Sequence, residues 1–136
     1  MYRILLFALI LTSFSCGNST NSNGETSSTS EAATQPTLGS LPMETIQYLW
    51  DQCDYVDYIF YHLPISMSLN EKGSIQYALR HISADAAIIN PECKPIGRIF
   101  YQVRGENVLE ADMFFSEGCT YFKFLRDNKP IYANYM

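Results

Sequence analysis

Four cysteines and two histidines are the residues here most suited to nucleophilic or soft-metal chemistry, and their spacing limits what they can do. No C-x-x-C or H-x-x-x-H occurs, so a zinc site would need His62, His81, Cys53, Cys93 or Cys119 to converge through the fold. A cysteine nucleophile needs a base in reach and donors for the oxyanion. Cys53 and His62 stand nine residues apart. On one helix they could not touch, whereas a chain reversal near Asp54 would let them meet. That keeps a small hydrolytic or thiol-based enzyme as an alternative reading. No G-x-S-x-G is present. Asp54 and Asp57, and Glu110 and Asp112, are paired carboxylates. Ca²⁺ wants more oxygens than either pair offers, and the polar face of a sheet accounts for Glu110 and Asp112. His81 suits a helix C-terminus, and His62 reads as a half-buried side chain. No catalytic residue, metal site or cofactor is assigned.

Tyrosine is the unusual feature. Tyr55, Tyr58 and Tyr61 fall close together, and Tyr101 and Tyr121 lie in later strand-like runs. A large rigid ring with a polar tip suits a recognition surface, though tyrosine is also a common strand residue. These five are the candidate recognition surface. Leu63 to Ser68 could shape a pocket rim, but a capping role for Ser68 favours a structural reading.

The N-terminus carries the clearest signal. Met1-Tyr2-Arg3 precedes eight apolar residues, Ile4 to Leu11, and small polar residues lead to Cys16. This is the layout of a secretory signal peptide, too short for a bilayer span of about 20 residues. "LTSFSCGN" resembles the signal boundary of a bacterial lipoprotein precursor, with Ser15 before the cysteine and Gly17 after it. Ser13 and Phe14 depart from that family's usual box. The resemblance implies acylation of Cys16, cleavage after residue 15 and anchoring in the cell envelope. Gly17-Asn18-Ser19, without an aspartate, favours the outer membrane facing the periplasm. Ser13-Phe14-Ser15 also fits ordinary signal cleavage, which would leave a soluble secreted protein.

Residues 16–40 are rich in Ser, Thr, Asn and Gly, too polar to offset their ordering entropy, and predict a flexible tether. Residues 41–136 are then enough for one small domain. Loss of Arg3 with the signal leaves eight basic against 14 acidic side chains, a net charge near −6. The basic residues are dispersed, which argues against nucleic acid as a partner. The expected partners are the membrane, through lipid on Cys16, and an unidentified envelope protein or small ligand.

The elements that must position these residues follow from periodicity. Met43, Ile46, Leu49, Trp50 and Cys53 recur at helical spacing, predicting a helix over 42–53 with Ser40 as N-cap. Residues 55–62 are open between helix and strand, with strand favoured by their aromatic and β-branched content. Ser68 and Glu71 form a capping-box pattern, and Ile75, Ala78, Leu79 and Ile82 make the stripe of a second helix, 69–82. From Gly97 the period becomes two, in four runs separated by "RGEN", "SEG" and "RDNK". The fold class is therefore α+β, two N-terminal helices packed on a C-terminal four-stranded antiparallel β-meander. In an exported chain one disulfide is expected. Cys93 in a loop and Cys119 at a hairpin are the favoured pair, with Cys53 a buried thiol. A further alternative is a structural or assembly component of the envelope, for which an unpaired sheet edge near Ile131 to Tyr135 is the place of contact.

Overall fold

A computed structural model describes residues 38–136. The expectations for the signal peptide, for Cys16 and for nearly all of the tether lie outside the described residues.

Helix α1 (Met43–Gln52) leads into strand β1 (Tyr55–Phe60) and strand β2 (Ser66–Leu69). Helix α2 (Lys72–Leu79) follows, then β3 (Gly97–Val103), β4 (Glu106–Ser116), β5 (Cys119–Arg126) and β6 (Lys129–Tyr135). All neighbouring strands are antiparallel, in the order β2-β1-β3-β4-β5-β6. The class is α+β, as the change of period indicates. The sheet has six strands rather than four, because the front segment around Pro64 forms a hairpin that docks on β3. Tyr58 pairs with both Met67 and Ile99. The β-forming side chains of "YVDYIF" win over the helical spacing that could have carried α1 onward.

Both helix starts differ from the sequence reading. The α1 N-cap is Pro42 rather than Ser40, and its carbonyl accepts from the Thr45 and Ile46 amides. Proline suits this place because its missing N–H would have no partner there. Ser68 is not a cap. It lies in β2, and its hydroxyl donates to the Asp57 carboxylate across the hairpin. Helix α2 starts only after Glu71, which shortens it to eight residues.

The later turns match their residue chemistry. Arg104-Gly105 and Asp127-Asn128 each place two successive residues at positive φ, the geometry of tight two-residue hairpins. On the face that meets the helices, Ile99, Tyr101, Leu109, Ala111, Met113, Phe122 and Phe124 form one core with Val56, Leu49, Ile75 and Leu79.

The opposite face is only partly solvated. The segment from α2 to β3 runs along β6, where Ser83 and Ala87 amides donate to Tyr135 and Ala133 carbonyls. It then covers Phe114, Tyr121 and Ala133 as a second small core, fastened by the Cys93–Cys119 disulfide. Gly39 pairs with Tyr132 and Leu38 packs on the second core, so the folded part takes in three residues assigned above to the tether, Leu38, Gly39 and Ser40. The β6 edge is thus covered and not open, correcting the expectation for Ile131 to Tyr135. Asn134, fully buried, ties these pieces together: its Oδ1 accepts from the Leu41 amide and its Nδ2 donates to the Ser83 carbonyl.

Candidate functional site: an apolar groove under the second helix

Six strands about 4.8 Å apart make a sheet roughly 24 Å wide, while an eight-residue helix is only about 12 Å long. Helix α2 alone does not span such a sheet. Between α2 and the uncovered end lies a groove of about 790 Å³. Tyr58, Met67 and Leu69 form one wall and Ser74, Ala78 and His81 the wall on α2. Met113, Phe122 and Met136 make the floor, with Tyr77 and Phe115 at the rim.

The lining is made of ring faces, thioethers and aliphatic carbons. Its polar groups are few: the Tyr58 and Tyr77 phenols, the Ser74 hydroxyl and the His81 ring. This size and balance match sites for small apolar ligands. Burial, with Cys53 a lesser neighbour, raises the Tyr58 phenol above its ordinary value, so it stays a neutral hydrogen-bonding group. His81 follows the end of α2 and is exposed, edge-on to the Tyr77 ring with centroids 5.1 Å apart. It is the one side chain in the lining able to carry positive charge.

The tyrosines do not form one recognition surface. Tyr101 is buried beneath the helices, with its phenol raised well above the ordinary range by desolvation. Tyr121 is buried on the opposite face, stacked on Phe114 at 4.4 Å. Tyr55 is half-buried, and Tyr61 is exposed beyond the end of β1, its hydroxyl donating to Asp112. Of these five only Tyr58 lines the groove.

Nor does the thiol chemistry assemble. Cys53 and His62 flank β1 at opposite ends, separated by a six-residue strand that spans roughly 20 Å. Cys53 is buried at the end of α1, donates to the Tyr55 carbonyl and has its thiol pushed up, chiefly by desolvation. A thiol held neutral is a poor nucleophile. His62 is exposed in the β1–β2 turn, not half-buried. Cys93 and Cys119, 5.9 Å apart at Cα, are spent in the disulfide.

The carboxylates are structural. Asp112 is buried rather than solvated. It accepts from Arg98 Nε at 2.8 Å and lies 3.7 Å from Lys123, while Glu110 accepts from Arg98 Nη1 at 3.1 Å. Asp54 accepts from the Arg104 amide and Asp57 from Gln102. Among the described residues no group of three or more His, Cys, Asp or Glu could hold a metal ion, and no helix is long and apolar enough to cross a membrane. No protein-family model, no curated protein and no solved structure matches the chain.

The sequence reading missed most of the groove. Leu63 to Ser68 was considered as a rim, and Met67 does line it. Phe115 alternates with Leu109, Ala111 and Met113, a pattern that by itself carries no sign that Phe115 stays exposed at the groove. The expected cap at Ser68 hid the shortness of α2.

Proposed function

We propose that this is a lipid-anchored envelope protein whose domain binds a small apolar ligand without chemistry. The groove beneath α2 carries the reading, because it is a large cavity with a predominantly apolar lining and few polar groups. The anchor rests on Cys16 at the signal boundary, with the outer membrane facing the periplasm as its location. In this reading residues 17–37 let the domain sample a shell above the bilayer, which raises its effective concentration there.

Binding is tested with N-phenyl-1-naphthylamine, an uncharged fluorophore that brightens in apolar surroundings. A chain from residue 16 carrying Cys16→Ser should bind it with one-to-one stoichiometry. Ala78→Trp, which fills the groove from the α2 wall, should abolish the signal. Unchanged binding in that variant would sink the groove as the site. The anchor is tested by the intact mass of protein extracted from native membranes, expected to begin at Cys16 and carry acyl groups.

A further inference from the structure

The groove does not open onto an ordinary protein surface. The register sends the end of β1, the start of β3 and the end of β4 to the same end of the sheet, since Phe60 pairs with Gly97 and Gly97 with Met113. The β1–β2 turn therefore projects beside Phe115. At this end Leu63 is 54 % exposed, Ile65 58 %, Met67 45 % and Phe115 66 %. Met67 and Phe115 also line the groove, so the exposed apolar surface and the groove are continuous. Side chains this apolar, gathered at one end and joined to a cavity, mark an interaction site rather than scattered exposure.

Charge narrows the occupant. From Tyr58 to Asn70 there is no Asp, Glu, Lys or Arg, in a chain of formal net charge −5. The β1–β2 turn carries no carboxylate, and the β4–β5 turn carries one, Glu117. Tyr61 and Tyr77 flank this end with exposed rings, the kind of side chain that settles at a lipid–water boundary. The loop entering β3 at this end adds one exposed cation, Lys94, which offsets Glu117. A protein partner at so sparsely charged an apolar tip would still need polar groups around it for orientation, whereas a bilayer needs none.

We infer that Leu63, Ile65, Met67 and Phe115 enter the surface of a phospholipid bilayer and that the groove takes an acyl chain directly from it. This rests on the apolar-ligand reading and names the ligand class. If the 21 residues between Cys16 and Leu38 form the tether expected from their composition, their reach is roughly 25 Å, enough for an anchored domain to lay this end on its own membrane. The apolar tip excludes water at the contact, and the chain passes from lipid to groove without crossing solvent. No bond is made or broken.

The test uses the acylated protein in membranes containing phosphatidylethanolamine with a photoactivatable diazirine on its acyl chain. Cross-linked peptides are expected from residues 61–67 and 113–115. Leu63→Asp combined with Ile65→Asp should lower their yield about tenfold, because carboxylates resist entering the acyl region. The same pair of substitutions, in the Cys16→Ser chain, should leave naphthylamine binding intact, since neither residue lines the groove. Cross-links confined to residues before Leu38, with naphthylamine still bound, would overturn the bilayer contact and leave the groove standing. Loss of naphthylamine binding in the unsubstituted domain would instead overturn the groove itself.

Discussion

Gly97→Ala should destabilise the domain, although glycine-to-alanine exchange inside a strand ordinarily helps. An added Cβ at Gly97 would lie 2.5 Å from the Ile59 carbonyl oxygen, 3.0 Å from Met113 Cε and 3.2 Å from Phe60 Cα. The thioether end can swing away. The other two atoms belong to the β1 backbone, which pairs with β3 across this position, so they can retreat only by opening the pairing. Removing glycine's excess freedom gains about 0.5–1 kcal/mol. Forcing a methyl into a closed space costs about 1–3 kcal/mol. The second effect wins, and a net loss of about 1–2 kcal/mol is expected. Gly73 in α2 is the control: a Cβ there meets nothing within 4 Å, so Gly73→Ala should gain up to about 1 kcal/mol. Urea unfolding of the oxidised chain, followed by the fluorescence of the single tryptophan, Trp50, reads both. With slopes of about 1–3 kcal/mol/M, the Gly97→Ala midpoint should fall by roughly 0.3–2 M and the Gly73→Ala midpoint should rise by up to about 1 M. A Gly97→Ala chain as stable as its parent would refute the close approach of β1 and β3, and with it the placement of the β1–β2 turn beside Phe115.

Three further outcomes follow from the packing. Reducing Cys93–Cys119, which closes a separation of 26 residues, should cost up to about 3.5 kcal/mol on the chain-entropy account, seen as a fall in the urea midpoint with reductant. Asn134→Ala strands the Leu41 amide and the Ser83 carbonyl in a buried site, and should cost about 2–4 kcal/mol in the same assay. Alkaline pH should destabilise the fold, because burial raises the phenols of Tyr101, Tyr58, Tyr61 and Tyr121 above 10.0. Once pH passes 10 the unfolded chain releases protons that the folded chain retains, so stabilisation present below that pH is lost as pH rises. Tyr101→Phe should flatten the decline, and an unchanged slope would contradict the burial of that phenol.

The pattern of alternation made the last four strands legible, since Leu109, Ala111, Met113 and Phe115 can share a face only in a strand. Turn residues located the hairpins because Gly105 and Asn128 stand where positive φ is needed. The front third was harder to read. "YVDYIF" satisfies both periods over six residues, and only pairing with Gly97–Val103 decides between them. Ser68 offered a cap that the Asp57 carboxylate claimed instead, a contact eleven residues back that no local rule anticipates. The groove was illegible for a related reason. It depends on how wide the sheet becomes, which β1, only favoured as a strand, and the unrecognised β2 decided.

That origin makes one variant informative twice. A cavity left by accidental underpacking and a cavity kept for a ligand both gain stability when filled, and only the second also loses binding. Ala78 faces the groove from α2, and its replacement by tryptophan does not have to displace packed atoms in a space of about 790 Å³. Small-to-large changes in a closed core cost about 1–3 kcal/mol. Here the ring should bury apolar surface and gain roughly 1–2 kcal/mol at about 25 cal/mol per Å². The more stable chain should also be the one that no longer binds naphthylamine. Stability withheld at one place, and recoverable by a single side chain, is what a site kept open against its own packing entails. If Ala78→Trp instead weakens the fold, α2 lies closer to Met113 and Phe122 than the groove requires, and the ligand reading falls with it.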